Sequence, residues 1–269
     1  MKIGPQSSKS SSISASNADT IVVRGRDLTR ELIGEIGFTD HFWLLLTGAL
    51  PTDAQRRVLD ATLVAIAEHG LVPSVQAARM TLAAAPEALQ GAVAAGLLGC
   101  GSVVLGSSEA AGIFLAQISE KTASGGSLDQ AVRAVIQDYR SERRPIPGFG
   151  HPLHKEFDPR ARRLFAVAEA AGSSGVHAEI VRTVEILLPE LLGKQLAANV
   201  SAAIPAVLLD VGYPLAALKG VPILARAASL IAHLLEEQAR PIGFVMSHAG
   251  AAAIDYDGTA PAGFVPSHD

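Results

Sequence analysis

Apolar residues recur at helical spacing along most of the chain. In AQRRVLDATLVAIAEHG, Val58, Leu59, Leu63 and Ile66 share one face of a 3.6-residue repeat, and Gly70 follows them. That pattern predicts a helix opened by Asp53 and closed at the glycine. The same periodicity predicts helices over 73–84, 109–120, 128–140, 159–171 and 177–192, with one more running into the glycine-punctuated GLLGCGSVVLGSSEAAG. Asp27, Asp53 and Asp158 are placed as N-caps, where a carboxylate accepts the free N–H groups of a first turn. Pro159 falls at the first helical position, where its missing N–H costs nothing. Residues 221–239 are apolar on most faces until Glu236 and Glu237, which predicts a central helix. IVVRGRDL, from Ile21, reads as a short strand or turn. No period-two alternation is long enough to build a sheet, so the expected class is all-α.

Composition agrees with that class. Hydrophobic residues make up 49% of the 269 positions but aromatics only 4%, so Ala, Leu, Val and Ile must pack helices closely. The length allows one large domain or two modest ones. A net charge of −4 gives no bulk attraction to nucleic acid or an anionic membrane, so any basic site is local. Cys100 is the single cysteine, which excludes an internal disulfide and a cysteine-based metal cluster. Its apolar setting reads as a buried structural thiol rather than a nucleophile, and suits a reducing cytoplasm. Without an uninterrupted apolar window of ~18 residues, no transmembrane span is expected. The Ser-rich residues 1–20 lack the apolar centre of a secretory signal and read as a disordered tail, with a transit peptide as the alternative. No metal site is expected: His151 and His154 stand at i,i+3, but no third ligand follows. No Gly-rich loop after a strand supports nicotinamide or ATP binding.

The chemistry concentrates in IPGFGHPLHKEFDPRARR. Gly148 and Gly150 flank Phe149 directly before His151, and glycines there let the backbone bend closely round a ligand. Lys155, Arg160, Arg162 and Arg163 follow, and arginine suits bidentate binding of carboxylates or phosphates. A solvated basic face is the plainer reading for Arg162 or Arg163, as a structural role is for a lone histidine.

GFGHPLHKEFDPRA resembles the signature of the citrate synthase superfamily, in which glycines surround a histidine and DPR follows. VVRGRDL, AEHGLVPSVQAAR, NVS and ILARAASLIAHLLEEQARPIG resemble other family elements in the same order, over about 21–258. The short citryl-CoA lyase-like proteins are the branch most similar. The resemblance implies a large helical domain (21–106 with 205–269) and a smaller coenzyme A-binding one (107–204), in a homodimer with the small-residue segment 76–98 at its interface. It implies His69, Arg160 and Arg226 as ligands for substrate carboxylates, with Arg240 lent by the neighbouring subunit. It also implies His151 against the oxygen of the reacting carbonyl and Lys155 against coenzyme A phosphate. Coenzyme A enters as a thioester substrate, with no resident cofactor.

Two family positions are replaced. Val104 stands where the synthases have a histidine supporting the acetyl-CoA enolate, and Ser201 where they have the aspartate that removes the acetyl proton. Condensation needs both groups. Cleavage of citryl-CoA, or of a related branched 3-hydroxyacyl-CoA, needs a base for the tertiary hydroxyl, and His151 can serve. A lyase giving acetyl-CoA and oxaloacetate (or a related 2-oxo acid) is therefore expected. The alternatives are a condensing acyltransferase recruiting Glu109, Asp210 or His154 as base, or an inactive acyl-CoA or dicarboxylate binder. Glu109 also reads as a first-turn helix charge and Asp210 as a turn residue.

Overall fold

A computed structural model describes residues 9–103, 106–150 and 157–264. Its elements in chain order are three short strands, β1 (Ser14–Ser16), β2 (Ile21–Val23) and β3 (Arg26–Asp27), then α1 (Phe38–Thr47), α2 (Asp53–Ala67), α3 (Pro73–Ala84), α4 (Leu89–Leu98), α5 (Ser107–Ala123), α6 (Leu128–Ser141), α7 (Pro159–Ala170), α8 (Val176–Leu192), α9 (Val200–Asp210), α10 (Gly220–Ala239) and α11 (Gly243–Ala252). The class is all-α.

The strands form one antiparallel sheet in the order β1-β2-β3. β1 therefore orders part of the segment expected as a disordered tail: Arg24 N donates to Ile13 O at 2.8 Å, and the Arg24 guanidinium bonds Ser12 and the Leu45 carbonyl. Asp27 is an N-cap as expected, and the cap expected at Asp53 is displaced by one residue. Asp27 caps a five-residue helical turn, Leu28–Leu32, rather than a full helix. Asp53 is the first residue of α2, and Thr52 is its cap, exchanging hydrogen bonds with Gln55 as a capping box requires. Asp158 and Pro159 open α7 as predicted.

The chain divides into two compact units, one of Met1–Thr62 with Ser108–Leu218 and one of Leu63–Ser107 with Lys219–Asp269. This division differs from the expected one. Residues 108–204 do stay together, but α9 carries them on to Val211 and Tyr213, where the N-terminal helices attach: Gln55 Nε2 donates to Val211 O at 3.0 Å and Trp43 packs edge-on against Tyr213.

In the first unit α9 is the central helix, with Ala202 through Leu208 all buried. Gly112 of α5 lets its neighbours come close, since a Cβ there would lie 2.3 Å from Leu218 Cδ1 and 3.2 Å from Pro205 Cβ. α6 buries Val132, Val135, Ile136 and Tyr139 along one stripe against α8, while its outer face grips α8 through the Arg133–Glu190 fork at 2.6 and 2.7 Å.

In the second unit α10 buries Leu230 and Leu234 against α3 and α4. Gly96 permits the contact: a Cβ there would stand 2.7 Å from Leu230 Cδ1 and 2.8 Å from the Ser74 carbonyl. Arg79 of α3, 2% exposed, donates to Glu237 at 2.7 Å and Glu236 at 2.9 Å, and Glu237 also accepts the N–H groups that open α11. The stretch Leu215–Ala239 is long and apolar enough to cross a membrane by length and composition. In this fold one face packs inside the unit, and the helix carries Arg226, Glu236 and Glu237.

Candidate functional site

In the first unit, two motifs 49 residues apart in sequence are stitched edge to edge. Phe149 pairs with Ala198 in an isolated antiparallel bridge. Gly150 N donates to Ala197 O at 2.8 Å, and Asn199 N to Gly148 O at 2.9 Å. The Asn199 side chain does double duty: its Nδ2 donates to the Gly150 carbonyl at 2.6 Å, and its Oδ1 caps α9 at Ser201 N, 2.8 Å. The glycines are required by geometry. Gly148 has φ +87° and a Cβ there would stand 2.7 Å from Ala202 Cβ; Gly150 has φ +81°. The peptide before His151 is thus fixed against the N-terminus of the helix that carries Ser201.

Asp158 locks the next part of the motif. Its side chain is fully buried and accepts four hydrogen bonds, from Arg160 N (2.9 Å), Nε (3.1 Å) and Nη2 (2.9 Å), and from Val200 N (3.0 Å). Burial alone would raise its pKa. The Arg160 side chain and the two backbone donors outweigh that and hold it below the ordinary aspartate value. Arg160 is therefore oriented by a neighbouring carboxylate, with Nη1 outside that pair and its side chain a quarter exposed. Behind Asp158 lies a cavity of about 150 Å³ lined by Phe157, Arg162 and Phe165 among others, with the Arg162 guanidinium 3.6 Å over the Phe157 ring. Arg162 is thus stacked rather than simply solvated.

In the second unit, Arg226 lies on the buried face of α10 at 3% exposure, and its Nε and Nη1 have no hydrogen-bond partner among the described residues. Buried polar groups are normally paired, so these two donors carry hydrogen-bonding capacity that no described residue fills. Three and seven residues on, Ser229 Oγ and His233 Nε2 both bond the Glu68 carboxylate, at 2.5 and 2.9 Å. Glu68 stays below its ordinary value: burial opposes ionisation, but the bonds from Ser229, Gly70 and His233 prevail. His69, next in sequence, is exposed. Cys100 is buried in the same unit, as expected. Burial pushes its thiol up despite the Arg226 charge and a hydrogen bond with Ser74, which suits a packed thiol rather than a nucleophile. Arg240 caps the end of α10; its side chain is 77% exposed and paired with Glu236, and its carbonyl accepts from Arg79 Nη2 at 3.2 Å.

Of the residues singled out from sequence, Arg160 and Ser201 are thus placed in the first unit and His69, Arg226 and Arg240 in the second. His151, His154, Lys155 and Val104 lie outside the described residues. Glu109 lies in the first turn of α5, the place of its plainer reading. Asp210 is engaged: it accepts from Gly175 N, His177 N, His177 Nδ1 and Ala178 N, and so caps α8. Sequence reading missed the organising roles of Asn199 and Glu68, and of Asp158 it gave the cap of α7 but not the bonds to the Arg160 side chain and Val200 N. Asn199 had a legible signal, an N-cap residue before the apolar run of α9. Glu68 had none, because its partners on α10 are more than 160 positions away.

The citrate synthase C-terminal domain family matches residues 53–243. A citrate synthase of Deinococcus radiodurans is 30% identical over 201 residues, covering 73% of this chain and 51% of the relative. The citrate/2-methylcitrate synthase of Bacillus subtilis is 27% identical over 208 residues, covering 76% and 53%. The chain thus spans about half the length of these curated relatives. A solved citryl-CoA lyase from Hydrogenobacter thermophilus superposes with a TM-score of 0.83 at 32% identity, covering 95% of this chain and 97% of that one. An ATP citrate lyase from Methanothrix soehngenii, solved with citrate and coenzyme A, gives 0.74 over 98% of this chain and 44% of that one; at 20% identity this is a likeness of fold. The stitched Gly148–Gly150 and NVS segments therefore sit in a helical frame shared with known citrate-handling enzymes, and the chain belongs to the citrate synthase family.

Proposed function

We propose that the protein is a citryl-CoA lyase-like enzyme, cleaving citryl-CoA or a related branched 3-hydroxyacyl-CoA to acetyl-CoA and oxaloacetate or a related 2-oxo acid. The observations that support this reading are an arginine in each unit able to take a carboxylate and a hydroxyl, Ser201, in place of a carboxylate. Arg226 offers two unfilled buried donors and Arg160 is preoriented by Asp158, so carboxylates of a multiply charged substrate have cations to meet. Ser201, at the start of α9, is a poor base for a carbon-bound proton, and a general base is worth ~10²–10⁴-fold in such a step. Asp210 is no substitute in condensation, with both its oxygens held by the start of α8.

In the proposed reaction His151 accepts the proton of the tertiary hydroxyl. The electron pair of that oxygen forms the carbonyl of the 2-oxo acid as the C–C bond breaks, and the departing acetyl-CoA enolate is protonated by water. His69, Arg160, Arg226 and the partner subunit's Arg240 hold the carboxylates, and Lys155 meets the coenzyme A phosphate. A homodimer is part of the proposal. The test pairs citryl-CoA consumption with citrate formation on the same protein. Cleavage faster than condensation, lost in His151→Ala with the fold intact, is the expected result; citrate formation without cleavage overturns the reading.

A further inference from the structure

We infer that Glu68 is a positioning residue that straps the turn bearing His69 onto the polar face of α10. Its carboxylate accepts three hydrogen bonds, from Gly70 N (2.5 Å) within the turn and from Ser229 Oγ (2.5 Å) and His233 Nε2 (2.9 Å) on α10. Ser229 and His233 are four residues apart and Arg226 is three before Ser229, so the three share one face of the helix. The strap joins the turn to that same face. Gly70, at φ +69° with nothing among the described residues within 4 Å of where a Cβ would stand, lets the chain reverse directly after His69. The first bond closes the turn across His69; the other two anchor it one helical turn beyond a guanidinium with unfilled donors.

A surface turn at a helix end needs no ionised acceptor with three donors to stay folded, and water could satisfy Gly70 N instead. What the arrangement does provide is a fixed backbone on either side of an exposed histidine. Preorganising His69 removes an ordering cost that an anionic ligand would otherwise meet on binding. The functional half of this inference rests on the reading of His69 as a ligand for a substrate carboxylate.

Two measurements on the full chain test it. The first is amide hydrogen exchange at Gly70 without ligand: protection in the wild type, loss in Glu68→Leu, and partial return in Glu68→Gln, which keeps a neutral acceptor, are expected. The second is calorimetric titration with citrate. Glu68→Leu should weaken binding about tenfold or more, the scale of one lost charge-assisted contact, and Glu68→Leu/His69→Ala should bind no more weakly than His69→Ala alone. Exchange unaffected by Glu68, or losses that add in the double variant, overturn the inference. Protection that follows Glu68 in a protein that binds no citrate upholds the strap and counts against the citrate reading.

Discussion

Arg226 brings opposite demands to one side chain. Its guanidinium is buried with Nε and Nη1 unfilled among the described residues, and each such donor costs roughly 1–3 kcal/mol in the ligand-free fold. Arg226→Met keeps much of the apolar stem and removes the charge. The ligand-free protein should therefore gain stability by about 1–3 kcal/mol, read as a higher urea midpoint at an unchanged slope. Citrate affinity should fall by about 2–5 kcal/mol in calorimetry, as when one partner of a buried charge pair is removed. A purely structural arginine would lose stability and leave affinity alone. The same residue shows what the sequence could convey: the resemblance marked Arg226 as an anion ligand, but its missing partners are visible only once α3, α4 and α10 are packed. Glu68 was illegible for a related reason, since its bonds to Ser229 and His233 depend on long-range packing rather than on any local pattern.

Helices announced themselves where local chemistry decides them, and misled where it does not. Asp158 and Pro159 fix the start of α7, and the stripe of α6 follows from residue spacing. β1 escaped notice because three serine- and alanine-type positions carry no periodicity, and its order comes from pairing with β2 and from Arg24. The join between Gly148–Gly150 and α9 belongs to this scale and can be tested by a matched pair. Gly148→Ala adds a Cβ 2.7 Å from Ala202 Cβ at φ +87°, whereas Gly172→Ala, at φ +66°, meets nothing within 4 Å. Gly172→Ala should cost roughly 1 kcal/mol from its left-handed backbone. Gly148→Ala should cost more, by about 1–3 kcal/mol of overpacking, and should remove activity, both read from denaturant melts and turnover. Asp210 gives a pH signature. Burial raises its pKa, but hydrogen bonds from His177, Ala178 and Gly175 hold it below the ordinary value. A carboxylate depressed in the folded state contributes stability above its unfolded pKa and loses it as pH falls through the folded pKa. Asp210→Asn should thus be less stable than wild type by about 1–3 kcal/mol near neutrality, with the gap closing on acidification. A gap independent of pH would show that the carboxylate charge does not hold α8.

For the whole molecule, the proposed dimer makes a claim that single-chain stability cannot reach. Arg240 ends α10 with an exposed side chain paired with Glu236, while Arg79 holds its carbonyl. The backbone is thereby fixed and the guanidinium stands at the surface, which suits reach into a second copy better than service in its own chain. If each site takes Arg240 from the partner, Arg240→Ala and Arg226→Leu homodimers should both be inactive for different reasons. Mixing the two by joint refolding gives hybrids in which one site has an intact Arg226 from its own chain and an intact Arg240 from the other, while the second site lacks both. With random pairing half the dimers are hybrids, and half of their sites are restored, so about a quarter of wild-type citryl-CoA cleavage should return. Light scattering on the same sample reports the assembly itself. A dimer whose mixture stays inactive, although each variant folds, would place Arg240 in its own chain's site or in none; a monomer would remove the shared site altogether.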